Sequence, residues 1–208
     1  QAADLEVYSD QQMVHAFMMD MIASEPGVSI ERRIQMSAKT VLYSNNIIKK
    51  HGVQFVSERE YVSEDLIFNL DFLRHANSIV NLPKTYYYYY DNLSSLTSKI
   101  RTDRFDRYRI LIPELLRRYK DVACFKELSL RIERLLIGYT RHDTLAYFRS
   151  AASMKQKQAF FKKIYKDSLW NDVWASYPIG KMPLKYKFFA YSQKYKCFWL
   201  AFLISKLS

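Results

Sequence analysis

Two adjacent carboxylates, Glu64 and Asp65, follow Ser63 at the start of an apolar-periodic run and are the residues best placed for chemistry. Ser63 is read as the helix cap, and the two acids then occupy the first turn, where the helix dipole favours negative charge. Leu66, Ile67, Leu70 and Leu73 recur at helical spacing and make one apolar face, flanked by Phe68, Phe72 and Ala76. A carboxylate at the mouth of such a helix can stand at the rim of a cleft and take a proton from a bound hydroxyl. The same acids are equally accounted for by the dipole alone. Arg59, in the charged loop Glu58-Arg59-Glu60, can meet an anionic substrate, and its other reading is a solvated loop side chain.

The elements that must position these acids lie on both sides. Downstream, Ile79 to Leu82 is predicted as a short strand, Pro83 breaks it, and five tyrosines follow from Tyr86 to Tyr90. As a strand the run would put Tyr86, Tyr88 and Tyr90 on one face, able to stack on a sugar ring or to pack on a core. Asn92 to Thr97 is then a polar loop. Upstream, residues 10 to 24 read as a helix with Met13, Val14, Phe17, Met18, Met21 and Ile22 on its core face, ended by Pro26-Gly27. Ile34 and Met36 alternate like a strand, Tyr43 to Lys50 is a short helix closed by Gly52, and Val53 to Phe55 a short strand. His51 is placed at that helix C-terminus rather than as a metal ligand.

Several phrases occur here in a recognisable order. They are Leu42-Tyr43-Ser44-Asn45-Asn46-Ile47-Ile48, then Phe55-x-Ser57-Glu58-Arg59-Glu60, then Ser63-Glu64-Asp65-Leu66-Ile67-Phe68-Asn69, then Tyr90-x-Asn92-x-x-Ser95-Leu96-Thr97. Together, over residues 33 to 100, they resemble the acceptor-side half of family-2 glycosyltransferases, inverting enzymes of the GT-A fold, many of which build bacterial surface polysaccharides. The segment departs from that family at Ala38-Lys39-Thr40, where a tryptophan is usual, and at Tyr90, where an arginine is usual. The resemblance implies Asp65 as the general base and Glu64 as an orienting acid at the helix mouth, while Arg59, Tyr88, Tyr90 and Asn92 are expected as substrate contacts. It also implies a nucleotide-sugar donor, a saccharide or lipid-linked acceptor, and a divalent metal, Mg²⁺ or Mn²⁺. The metal-binding Asp-x-Asp of that family has no counterpart in a plausible place, so its ligands and the nucleotide site are expected in a half missing from this sequence. The chain opens at Gln1 and reads as a fragment, expected to be inactive alone.

Beyond Arg101 the pattern turns helical. Phe105, Tyr108, Leu111, Ile112, Leu115, Leu116 and Tyr119 form one stripe, and Leu128, Ile132, Leu135, Leu136 and Tyr139 a second. Arg104, Arg107, Arg117, Arg118, Arg131 and Arg134 are expected on the solvated faces between them. The pair His142-Asp143 has no companion serine, cysteine or histidine nearby and is given no chemistry.

Of the net charge of +11, +9 falls in residues 151 to 208, which hold eleven lysines, no arginine and two acids. Lysines interleaved with aromatics suit an anionic membrane surface or nucleic acid. The lack of arginine speaks against nucleic acid. The terminal apolar run Cys197 to Ile204 is too short to span a bilayer, for which roughly 20 residues are needed. It can lie in an interface or pack as a last helix. Cys124 and Cys197 have no metal-ligand spacing and fit free thiols of a reducing compartment. Four glycines and five prolines argue against a β-sandwich or a doubly wound sheet. No Gly-rich phosphate loop, zinc signature or nucleophile elbow is present.

The fold class expected is therefore α+β and mostly helical. Residues 1–100 would be an acceptor-side GT-A portion, and 101–208 a lysine- and aromatic-rich helical region. The function expected is sugar transfer with inversion in the cytoplasm, at or near the inner face of the membrane. The alternative is a non-enzymatic helical module that binds an anionic surface through its C-terminus.

Overall fold

The computed structural model describes residues 5–88, 90 and 101–207. Among them are nine α-helices and a two-stranded antiparallel sheet, a mostly helical α+β architecture. The order is β1 (Glu6–Tyr8), α1 (Gln11–Ile22), α2 (Asn45–His51), α3 (Glu64–Leu73), β2 (Ile79–Asn81), α4 (Arg104–Arg118), α5 (Phe125–Arg149), α6 (Met154–Tyr165), α7 (Leu169–Ser176), α8 (Leu184–Lys194) and α9 (Phe198–Leu207).

The axle is α5, 25 residues long, against which α1, α4, α6, α8 and α9 all pack. At 1.5 Å per residue it runs about 38 Å. Its apolar stripe is continuous enough for Leu128, Ile132, Leu135, Leu136, Ile137 and Phe148 all to be buried. Helix α1 lies between α5 and α3, and its methionines Met18, Met19 and Met21 are core residues. Asp10 starts α1 by accepting the Met13 N–H at 2.8 Å. The helix stops at Ile22, before Pro26-Gly27, because Ala23 is already extended. Helix α2 ends as expected at Gly52, whose φ of 62° needs no Cβ.

The predicted strand at Ile79 is present and pairs with β1 in the register Glu6↔Asn81, Val7↔Val80, Tyr8↔Ile79. That partner, about 70 residues upstream, carries no strand signal of its own. Arg33 clamps this corner through Glu6 at 3.1 Å and Asp20 at 2.8 Å.

Four local expectations are corrected. Residues 34–36 and 53–55 are not strands; Ile34 and Val53 point into the core from irregular chain, and a 3-10 turn covers Ala38–Thr40. Residues 86–88 and 90 form no strand, so the alternating faces do not exist there. Arg131 and Arg134 are not solvated, at 4% and 2% exposure. The Arg131 guanidinium donates to the Ala23 carbonyl at 2.9 Å and pairs with Glu127 at 2.8 Å, so it ties α5 to the end of α1.

Candidate functional site

Helix α3 begins with both acids in its first turn. Ser63 does not cap it with its hydroxyl. Its backbone is left-handed (φ 73°), and its Oγ shares a 2.9 Å hydrogen bond with the Tyr139 hydroxyl of α5. Tertiary contact thus takes the side chain that local propensity assigned to the cap.

Asp65 is half-buried, and its Oδ2 accepts the backbone N–H of Ala38 at 3.2 Å. One turn on, the Asn69 side-chain amide donates to the Asp65 carbonyl at 2.8 Å and to the Met36 carbonyl at 2.9 Å. The Tyr43 hydroxyl donates to Asn69 Oδ1 at 2.7 Å. Burial, and then the nearby Asp65 charge, push the Tyr43 phenol up, so it stays a donor. Segment 36–43 is thereby stitched along α3, and the Asp65 carboxylate is held by the Ala38–Thr40 turn. On that turn Lys39 Nζ lies 5.7 Å from the centre of the Tyr87 ring, which brings the tyrosine segment beside the helix mouth.

The other expected contacts are less gathered. Glu64 is half-buried in the same turn as Asp65. Arg59 is exposed, with its N–H on Ser57 Oγ at 3.3 Å. Tyr88 and Tyr90 are 81% and 87% exposed, so their rings are available to a ligand but unsupported by a sheet. Asn92 lies outside the described residues.

A pocket of about 400 Å³ opens beside Ser63, and sequence reasoning missed it. Ser63, Tyr139, Arg32, Arg104, Tyr108, His142 and Asp143 line it, with Glu31 and Gly138. Asp143, 8% exposed, accepts from the Tyr108 hydroxyl at 2.7 Å and from Arg104 at 3.1 Å. The signal was there in part: Arg104 and Tyr108 are one helical turn apart on α4, and Asp143 is a buried acid of α5. Neither Glu64 nor Asp65 lines this pocket.

No protein-family model, curated protein or solved structure matches this chain.

Both Asp143 oxygens already accept a hydrogen bond, one from Tyr108 and one from Arg104. Burial, and then the Asp143 charge, push the Tyr108 phenol far up, so that hydroxyl remains a proton donor. The pocket can bind and orient. At the mouth of α3, Asp65 accepts one backbone N–H among the described residues and is partly exposed. Among the described residues no group of three or more His, Cys, Asp or Glu is placed to hold a metal ion. The resemblance places the ligands of its divalent cation outside this sequence, and none of the residues described above is given that role.

Proposed function

We propose that residues 33–100 are the acceptor-side portion of an inverting glycosyltransferase, with Asp65 as general base. The observation that carries this is the half-buried Asp65 carboxylate, fixed by the Ala38 N–H at 3.2 Å beside an exposed tyrosine segment. In this reading Asp65 takes the proton of an acceptor hydroxyl while that oxygen attacks the anomeric carbon of a nucleotide sugar. The bond from that carbon to the diphosphate breaks as the new one forms, with inversion. Glu64 orients the acceptor, and Arg59, Tyr88, Tyr90 and Asn92 contact the substrates. The donor half lies outside these 208 residues, and the acceptor is a saccharide or a lipid-linked saccharide at the cytoplasmic face of a membrane.

The test is Asp65→Asn in a full-length polypeptide that carries a donor half. The amide oxygen can still accept from Ala38, so circular dichroism and the thermal midpoint should be unchanged. Turnover should fall about 10²- to 10⁴-fold, the usual worth of a positioned base. Turnover retained by that variant, or shown by the 208-residue chain alone, would sink the proposal.

A further inference from the structure

Helix α9 is apolar on both sides, and only one side is covered. Ala201 and Ser205 are buried, and Phe198 and Phe202 pack edge-on against Phe148 of α5 at 5.4 and 5.6 Å. On the opposite side Trp199, Leu203 and Leu207 follow at intervals of four and are 62%, 58% and 81% exposed. A helix that is hydrophobic all round belongs inside an apolar medium. The neighbouring α8 adds exposed Leu184 and Phe188, again four apart, and Tyr195 at its end is 71% exposed.

The stretch of chain that carries this face has charge of one sign. Residues 173–207 contain six lysines and no acid. A second copy of the chain laid on the same face would set lysine against lysine, which is unfavourable. At ten residues, about 15 Å, α9 cannot cross a bilayer. Among the described residues no helix is long and apolar enough to do so. A short helix with Trp and Leu on one side and lysines at its flanks suits the headgroup–acyl boundary of anionic lipid.

We propose that the outer side of α9, with the exposed end of α8, docks the chain onto an anionic bilayer surface. Trp199, Leu203 and Leu207 enter the acyl boundary, while Phe198 and Phe202 keep the helix bound to the core. One side of the helix is packed on the core, and in this proposal the other side takes the interfacial role. The proposal does not depend on sugar transfer.

The experiment is co-sedimentation of the 208-residue chain with vesicles of phosphatidylcholine alone or mixed with phosphatidylglycerol, at low and high salt. Binding to the mixed vesicles, weakened by salt, is expected, together with a blue shift of tryptophan emission that Trp199→Phe removes. The double variant Trp199→Ser, Leu203→Ser changes only exposed positions, so its fold should persist by circular dichroism. It should bind at least about tenfold more weakly. Lys187→Gln with Lys196→Gln should cost about fivefold per lysine. Equal binding to both vesicle types, undiminished binding by the double serine variant, or self-association without vesicle binding would each overturn the proposal.

Discussion

The Tyr108 hydroxyl of α4 lies 2.7 Å from Oδ2 of Asp143 on α5, and Arg104 reaches the other carboxylate oxygen at 3.1 Å. This three-residue bridge is a polar link between α4 and α5. Removing the carboxylate by Asp143→Ala would leave a buried phenol and a half-buried guanidinium without their acceptor. A loss of about 3 kcal/mol is expected in urea denaturation. Tyr108→Phe should lose about 1 kcal/mol. The double variant should lose less than the sum, because the two residues share one interaction.

Gly138 is the point where Glu31 crosses the middle of α5. A Cβ at Gly138 would lie 2.5 Å from the Glu31 carboxylate, which now pairs with Arg141 at 2.9 Å. Gly138→Ala should displace that carboxylate and break the pair. Its helix-propensity gain of about 1 kcal/mol should then be offset in part or whole. Adding Glu31→Ala should recover the gain, so the double variant should melt above Gly138→Ala alone.

The imidazoles of His51 and His75 are stacked at 3.7 Å beside Arg74. His75 is exposed at the surface, but the desolvation its ring meets in the stack, and then the charges of His51 and Arg74, hold its pKa below the ordinary 6.5. The unfolded chain therefore binds a proton that the folded chain resists. Stability from this group is complete above about pH 6.5 and is lost as pH falls towards the folded value. Thermal midpoints measured between pH 8 and pH 5 should fall, and His75→Gln should flatten the slope. An unchanged slope in that variant would rule the pair out as the source.

Gly52 has a φ of 62°, and no atom stands within 4 Å of where a Cβ would sit. Gly52→Ala should therefore cost only the left-handed backbone penalty, about 1 kcal/mol. Gly52→Asn should cost less, since asparagine tolerates that conformation. Equal losses for the two would point to a packing role that the open space around Gly52 does not suggest.

What the sequence determined by itself was whatever depends on near neighbours along the chain. The stripes from Phe105 to Tyr119 and from Leu128 to Leu136, the core placement of Met18 and Met21 (though not of Met13, which is exposed, or of Met19, which is buried), the stop at Gly52 and the strand at Ile79 follow from local periodicity and backbone preference. Those are properties of a few adjacent residues. What only the tertiary structure decided was the fate of polar groups. Arg131 and Arg134 occupy positions that look solvated on a helix wheel, yet the turn after α1 closes over them. Ser63 meets Tyr139, 76 residues away, and gives up its capping role. Tyr108, Arg104 and Asp143 become a bridge only when α4 and α5 pack. A buried donor or acceptor must find a partner somewhere, and where that partner lies is a long-range fact that no local spacing records. The same holds for the outer side of α9, whose apolar residues differ from those of a core helix only in what stands opposite them.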